Sequence, residues 1–121
     1  MFKAVVIPVE GPVYEIEVGR PGADDLAVLQ EAVGGLIEAL AVPQFINGSE
    51  RATAYCNEEG KYVCKPNMRA TDFMVPGVGL FPGDYISGPM VVCGFNPRTG
   101  NHAPLPTTVE ARVRLIEREA A

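Results

Sequence analysis

The sequence has little of what metal and nucleophile chemistry requires, since its 121 residues contain one histidine, His102, and three cysteines. Cys56, Cys64 and Cys93 lie eight and twenty-nine residues apart, without the close pairing of a structural zinc site. An odd number of widely spaced cysteines is also not a disulfide framework, and it favours a reducing compartment. We therefore predict no metal site, no cofactor and no catalytic residue set.

Long apolar runs and an excess of positive charge are also absent. No segment approaches the roughly 18 apolar residues of a membrane span, and Met1–Pro8 is too short for the apolar part of a signal peptide. Ten basic residues against fifteen acidic ones give a net charge of −5, the wrong sign for a phosphate-backbone binder. These absences predict a cytoplasmic protein that binds neither nucleic acid nor membrane.

The patterns that are present predict strands and helices in a mixed order. The β-branched run Phe2–Val9 predicts a buried strand, and the alternation over Tyr14–Val18 predicts its hairpin partner. Apolar residues at helical spacing from Leu26 to Leu40 predict one helix, capped by Asp24 or Asp25. The Gly34-Gly35 pair falls inside that helix, where close packing of a neighbouring element, or the close approach of a ligand or partner backbone, would explain it.

The middle of the chain predicts a three-stranded meander from Val42 to Lys65. Asn47-Gly48 and Asn57–Gly60 supply its two turns, and Arg51–Cys56 alternates between the two faces of its strand. Asn67 then fits the N-cap of a short helix over Met68–Met74.

The last third predicts a long Gly- and Pro-rich loop over Val75–Gly88 and a strand over Pro89–Phe95. Thr107 and Glu110 fit a capping box for a helix over residues 107–120, although alternation from Val109 leaves a strand open. The whole chain therefore predicts a single α+β domain, residues 1–121. We expect an antiparallel or mixed sheet of about five or six strands, with two to three helices packed on one face.

Three motifs carry a resemblance to a known family. Leu29–Glu38 reads LQEAVGGLIE, Asn57–Lys61 reads NEEGK and is followed by Pro66-Asn67, and Gly83–Gly94 contains GDYISG and MVVCG. Together they resemble the domain of unknown function 3846, over roughly Met1 to Gly94. The resemblance implies an accessory protein of phages, plasmids or actinobacteria that acts inside a bacterial cell, and it brings no established activity.

From these observations we predict a non-catalytic binding protein that engages a host protein or a small nucleotide-like ligand. Binding residues concentrate on loops and turns, and the polar motif residues could converge at one sheet edge. The candidate site residues are Asn57, Glu58, Lys61, Asn67, Arg69, Thr71 and Asp84.

Several alternatives stay open at this stage. A nucleotide pocket would use Arg51, Arg69 or Arg98 with Tyr55 or Tyr62, whereas a host protein would dock on the apolar Val75–Pro82 loop. A small enzyme would use Cys93, His102 and Asp84, and a structural component of a virion is a further possibility. Exposed sheet edges favour a homodimer over a monomer.

Overall fold

The computed structural model describes residues 1–43 and 51–120, and its centre is a six-stranded antiparallel sheet. The strand order is β2-β1-β5-β4-β3, and β6 pairs with the end of β5. The expected α+β fold class is confirmed. The strands are β1 (Phe2–Ile7), β2 (Tyr14–Val18), β3 (Ile37–Ala41), β4 (Ala52–Asn57), β5 (Met90–Phe95) and β6 (His102–Ala103). The helices are α1 (Asp25–Val33), α2 (Gly60–Val63), α3 (Met68–Met74) and α4 (Thr107–Ala120).

The sheet is covered by helices on both faces. On one face, Val5 and Ile7 of β1 belong to a buried cluster with α3 and α4 side chains such as Phe73 and Val113. On the other face, alternate residues of the same strand pack with Leu29 of α1. The helices α3 and α4 thus share one face, as expected, and α1 covers the other. Because residues 4–7 of β1 are buried, with side chains packed on both faces of the sheet, they are apolar without alternation.

The helix predicted to run through Leu40 is wrong, because α1 ends at Val33. Gly34 has a left-handed backbone (φ 80°), and the Gly34 and Gly35 N–H groups donate to the Gln30 carbonyl. This is a C-terminal helix cap, which glycine adopts without steric penalty. The chain then enters β3, whose residues pair with β4.

The strand predicted over Lys61–Lys65 is also wrong. The Asn57 side-chain oxygen accepts the Glu59 N–H at 2.8 Å, and the chain then forms the short helix α2. A β-carbon on Gly60 would lie 2.6 Å from the Ser87 carbonyl oxygen, so this helix packs against segment 84–87. The turn predicted at Asn47-Gly48 lies outside the described residues.

Other local predictions are confirmed. The Asn67 side chain accepts the Ala70 N–H at 3.0 Å and caps α3. Residues 107–120 form a helix and not a strand, with Val109, Val113 and Ile116 buried. No helix in the described ranges is long and apolar enough to cross a membrane.

Candidate functional site

A cavity of about 270 Å³ lies where α2 and segment 84–87 meet β3 and β4. This size is slightly below the range of most ligand pockets, which span roughly 300–1,000 Å³. The walls combine apolar side chains with a few polar and charged ones. The lining residues are Glu38, Leu40, Cys56, Asn57, Glu58, Gly60, Lys61, Tyr62, Leu80, Asp84, Tyr85, Ile86 and Ser87.

Ser87 is the most unusual residue of this cavity. Its side chain is buried, with the residue 5 % exposed, and its hydroxyl has no hydrogen-bond partner among the described residues. Burying a hydroxyl without a partner costs about 1–3 kcal/mol, so such groups are rare. An apolar side chain would be the more stable choice here, unless a group outside the described residues bonds to the hydroxyl.

An ion pair stands beside the cavity and joins α2 to the loop that follows α3. The Lys61 ammonium donates to an Asp84 carboxylate oxygen and lies 5.1 Å from the centre of the Tyr85 ring. The hydrogen bond from Lys61 lowers the pKa of Asp84, and the Tyr85 backbone N–H adds to this. Both charged side chains are partly exposed, so the pair is screened by solvent and adds little to stability.

The Cys56 thiol lines the same cavity from β4. The pKa of this thiol is raised to about 11, mainly by burial and further by the Glu38 and Asp84 carboxylates, while Lys61 lowers it. Because the thiolate is the nucleophilic form, Cys56 is not an activated nucleophile at neutral pH.

Four of the seven candidate residues line this cavity: Asn57, Glu58, Lys61 and Asp84. The amide of Asn57, however, is engaged by the fold. It donates to the Val33 carbonyl at 3.2 Å and accepts from Glu59, so it joins the end of α1 to β4. A β-carbon on Gly35 would lie 2.9 Å from this amide, which explains the second glycine of the Gly-Gly pair.

The other three candidates lie outside the cavity. Asn67 is fully buried, and its amide donates to the Ile7 and Gly88 carbonyls at 2.9 Å each. Thr71 donates to the Asn67 carbonyl and accepts the Ile86 N–H. Arg69 donates to the Pro8 carbonyl. All three therefore make hydrogen bonds within the fold, and they are not brought together with Lys61 and Asp84.

A second polar cluster joins α1, β4 and β6, and no pattern in the sequence indicates it. The two ring nitrogens of His102 lie 2.8 Å from an Asp25 carboxylate oxygen and 2.9 Å from the Tyr55 hydroxyl. Burial raises the pKa of Asp25, but hydrogen bonds from His102 and the Gly19 N–H outweigh it, so the pKa is lowered overall. Burial raises the pKa of Tyr55, so its phenol stays protonated.

The three residues of the hypothetical enzyme, Cys93, His102 and Asp84, do not form one site. Cys93 is fully buried, and burial raises the pKa of its thiol to about 12. Asp84 pairs with Lys61, whereas His102 pairs with Asp25 and lines a different cavity. Within the described residues, no group of three or more His, Cys, Asp or Glu side chains is placed to hold a metal ion.

The features expected of a nucleotide pocket are divided between different surfaces. Tyr62 lines the Ser87 cavity, but Arg51 and Arg69 line other surface depressions. In the apolar loop, Leu80 lines the cavity, whereas Phe81 and Val78 are 83 % and 62 % exposed.

Comparison with known proteins adds the family. A search of curated proteins found no match, and neither did a search of solved structures. A family model does match, over residues 2–118, which extends beyond the part recognised from the motifs and includes most of α4. Because this match covers nearly the whole chain, the protein belongs to the family described as Domain of unknown function (DUF3846).

Proposed function

We propose that this chain is a non-catalytic protein that binds a small polar molecule in the cavity around Ser87. The observation that carries the proposal is the buried hydroxyl of Ser87, a residue that lines the cavity, which has no partner among the described residues. A hydroxyl can both donate and accept a hydrogen bond. A ligand that bonds to it would recover the free energy that the fold gives up there.

The rest of the cavity suits this role. Ligand sites usually combine apolar walls with a few polar groups that fix the orientation of the ligand. Here Leu40, Leu80 and Ile86 supply apolar surface, and Lys61 and Asp84 supply charge. The Lys61–Asp84 pair joins α2 to the loop that follows α3, so a bound molecule would contact both of these segments.

The non-catalytic part of the proposal is supported by the state of the two buried thiols. The pKa values of the Cys56 and Cys93 thiols are raised to about 11 and about 12, chiefly by burial. Catalytic cysteines instead have lowered pKa values. His102 is held between Asp25 and Tyr55 and adjoins neither thiol by a hydrogen bond.

The test is NMR titration of isotope-labelled protein with the small-molecule fraction of a bacterial extract. We expect amide shifts to concentrate at Gly60, Lys61 and residues 84–87. The Ser87→Ala variant should weaken these shifts, whereas Glu31→Gln, a change of an exposed helix residue on α1, should not. Shifts that concentrate elsewhere, or that are unchanged in Ser87→Ala, would contradict the proposal.

A host protein is a second candidate partner, and one observation favours it. Phe81 and Val78 expose apolar side chains close to each other in the loop beside the cavity. Exposed apolar patches are typical of protein interfaces. If this loop is the functional surface, Phe81→Ser should abolish capture of a host protein from lysate while Ser87→Ala leaves it intact.

The wider setting of the proposal follows from the family resemblance. An accessory role inside a bacterial cell, with a phage or mobile-element origin, stays a prediction. So does the homodimer, for which β2 and β3 are the outer strands of the sheet.

A further inference from the structure

We propose that the Ser87 cavity selects a small organic cation, carrying an ammonium or guanidinium group, over an anion such as a phosphate-bearing nucleotide. This inference rests on the proposed binding function and adds the charge class of the ligand. It revises the expectation of a nucleotide-like ligand, because the net negative charge of the cavity lining disfavours a phosphate group.

The charges around the cavity are mostly negative. Its lining contains three carboxylates, from Glu38, Glu58 and Asp84, and one ammonium, from Lys61, which gives a net charge of −2. The single ammonium is already hydrogen-bonded to Asp84. An anionic ligand would have to displace Asp84 from Lys61 and would then lie near two further carboxylates.

Two of these carboxylates have no counter-ion among residues 1–43 and 51–120. In the described part of the chain, no basic side chain lies within ion-pair distance of Glu38 or Glu58. Glu38 pairs with Cys56 across β3 and β4, and its charge is the largest electrostatic influence on the thiol that lines the cavity. Glu38 is therefore placed directly beside a residue that lines the cavity.

Aromatic side chains at the rim also favour a cation. Tyr62 is 89 % exposed, and the Tyr85 ring already lies beside the Lys61 ammonium. Cations are attracted to the faces of aromatic rings, whereas anions are repelled by them. Tyr85 thus provides, within this structure, an example of the contact that a ligand cation would make with Tyr62.

The experiment compares three single-ring probes that share a benzyl or benzoyl skeleton and differ in charge. Benzylamine is cationic at neutral pH, benzyl alcohol is neutral and benzoate is anionic. Affinities are measured by NMR titration at low salt, and the shifted amides locate the binding site. Because the nearby carboxylates attract an ammonium group even in a solvent-exposed site, we expect benzylamine to bind about tenfold more tightly than benzyl alcohol.

Variants separate charge from shape. The double variant Glu38→Gln, Glu58→Gln keeps the size of both side chains and should reduce the benzylamine preference to about threefold or less. The matched control Glu31→Gln removes one exposed carboxylate on α1 and should leave the preference unchanged. Raising the salt concentration to about 0.5 M should also reduce the preference, because exposed charges are screened.

The outcomes distinguish this inference from the proposed function. If the three probes bind in the cavity with equal affinity, or benzoate binds best, the charge selectivity is wrong and the binding function stands. If the preference for benzylamine survives in the double variant, the assignment to Glu38 and Glu58 is wrong. If no probe shifts the amides of residues 84–87 and the bacterial extract does not either, the binding function itself is wrong.

Discussion

Replacing Ser87 by alanine should stabilise this protein, although most substitutions of buried residues do the opposite. The wild-type hydroxyl is buried without a partner among the described residues. Its desolvation disfavours the folded state by about 1–3 kcal/mol, while the loss of one oxygen atom from the packing offsets part of the gain. We expect the free energy of unfolding to rise by about 1 kcal/mol, which raises the melting temperature by roughly 4 °C in a domain of this size.

A second buried hydroxyl provides the matched control. Thr71 donates to the Asn67 carbonyl at 2.8 Å and accepts the Ile86 N–H at 2.9 Å. Thr71→Val keeps the shape of the side chain but leaves the Ile86 N–H without this acceptor. The Thr71→Val substitution should therefore lower the free energy of unfolding by about 1–3 kcal/mol. The two hydroxyl deletions are therefore expected to have opposite signs.

Urea unfolding, followed by circular dichroism on ligand-free protein, measures both changes. Ligand must be removed first, because a bound molecule stabilises the wild type by mass action and would hide the effect. A Ser87→Ala variant that is less stable than the wild type by about 1 kcal/mol or more would refute the reasoning. It would mean that the Ser87 hydroxyl already has a hydrogen-bond partner in the ligand-free protein and is not available to a ligand.

Three further predictions concern the rest of the fold. Asp25→Asn should lower the urea midpoint at pH 7. The pKa of Asp25 in the folded protein is below its ordinary value of 3.8. The stability difference between wild type and variant should therefore persist down to about pH 3.8 and disappear as the pH falls through the lower, folded pKa. Gly34→Ala should lower the free energy of unfolding by about 1 kcal/mol and Gly34→Asn by less, measured by urea unfolding, because the residue is left-handed. In native protein at pH 8, a thiol reagent should modify Cys64 quickly and Cys56 and Cys93 slowly, whereas all three should react at once in urea.

Local sequence signals were sufficient where one element determines its own structure. Asn67 caps α3 by bonding to a residue three positions later, so its role could be read without knowledge of the fold. The alternation over Arg51–Cys56 likewise matches the burial of Ala52, Ala54 and Cys56 on one face of β4. Such signals depend only on neighbours along the chain.

The errors arose where a short pattern fits two structures. Apolar residues from Leu26 to Leu40 follow a helical period, but the same residues after Gly35 also suit a half-buried strand. The Gly34-Gly35 pair is the signal that favours a helix ending there, followed by a strand, since glycine commonly ends helices. At Gly60–Val63, close packing against the Ser87 carbonyl accompanies a helical turn, and the sequence alone does not show that contact.

The site was partly predictable for the same reason. Turn residues such as Lys61 and Asp84 were singled out from their motifs, and the structure brings them together. Ser87 was not, because a serine in a loop is ordinary until the fold buries it and leaves it without a partner. The contact between Asp25 and His102 joins residues 77 positions apart, which no sequence pattern indicates.

Native mass spectrometry of the protein purified from a bacterial cytoplasm tests the central claim most directly. The account predicts that the wild-type protein carries an added small-molecule mass that Ser87→Ala loses and Glu31→Gln retains. The same spectrum reports whether the protein is a monomer or a homodimer. A wild-type protein without added mass, or an added mass that Ser87→Ala retains in full, would contradict the assignment of this cavity as a ligand site.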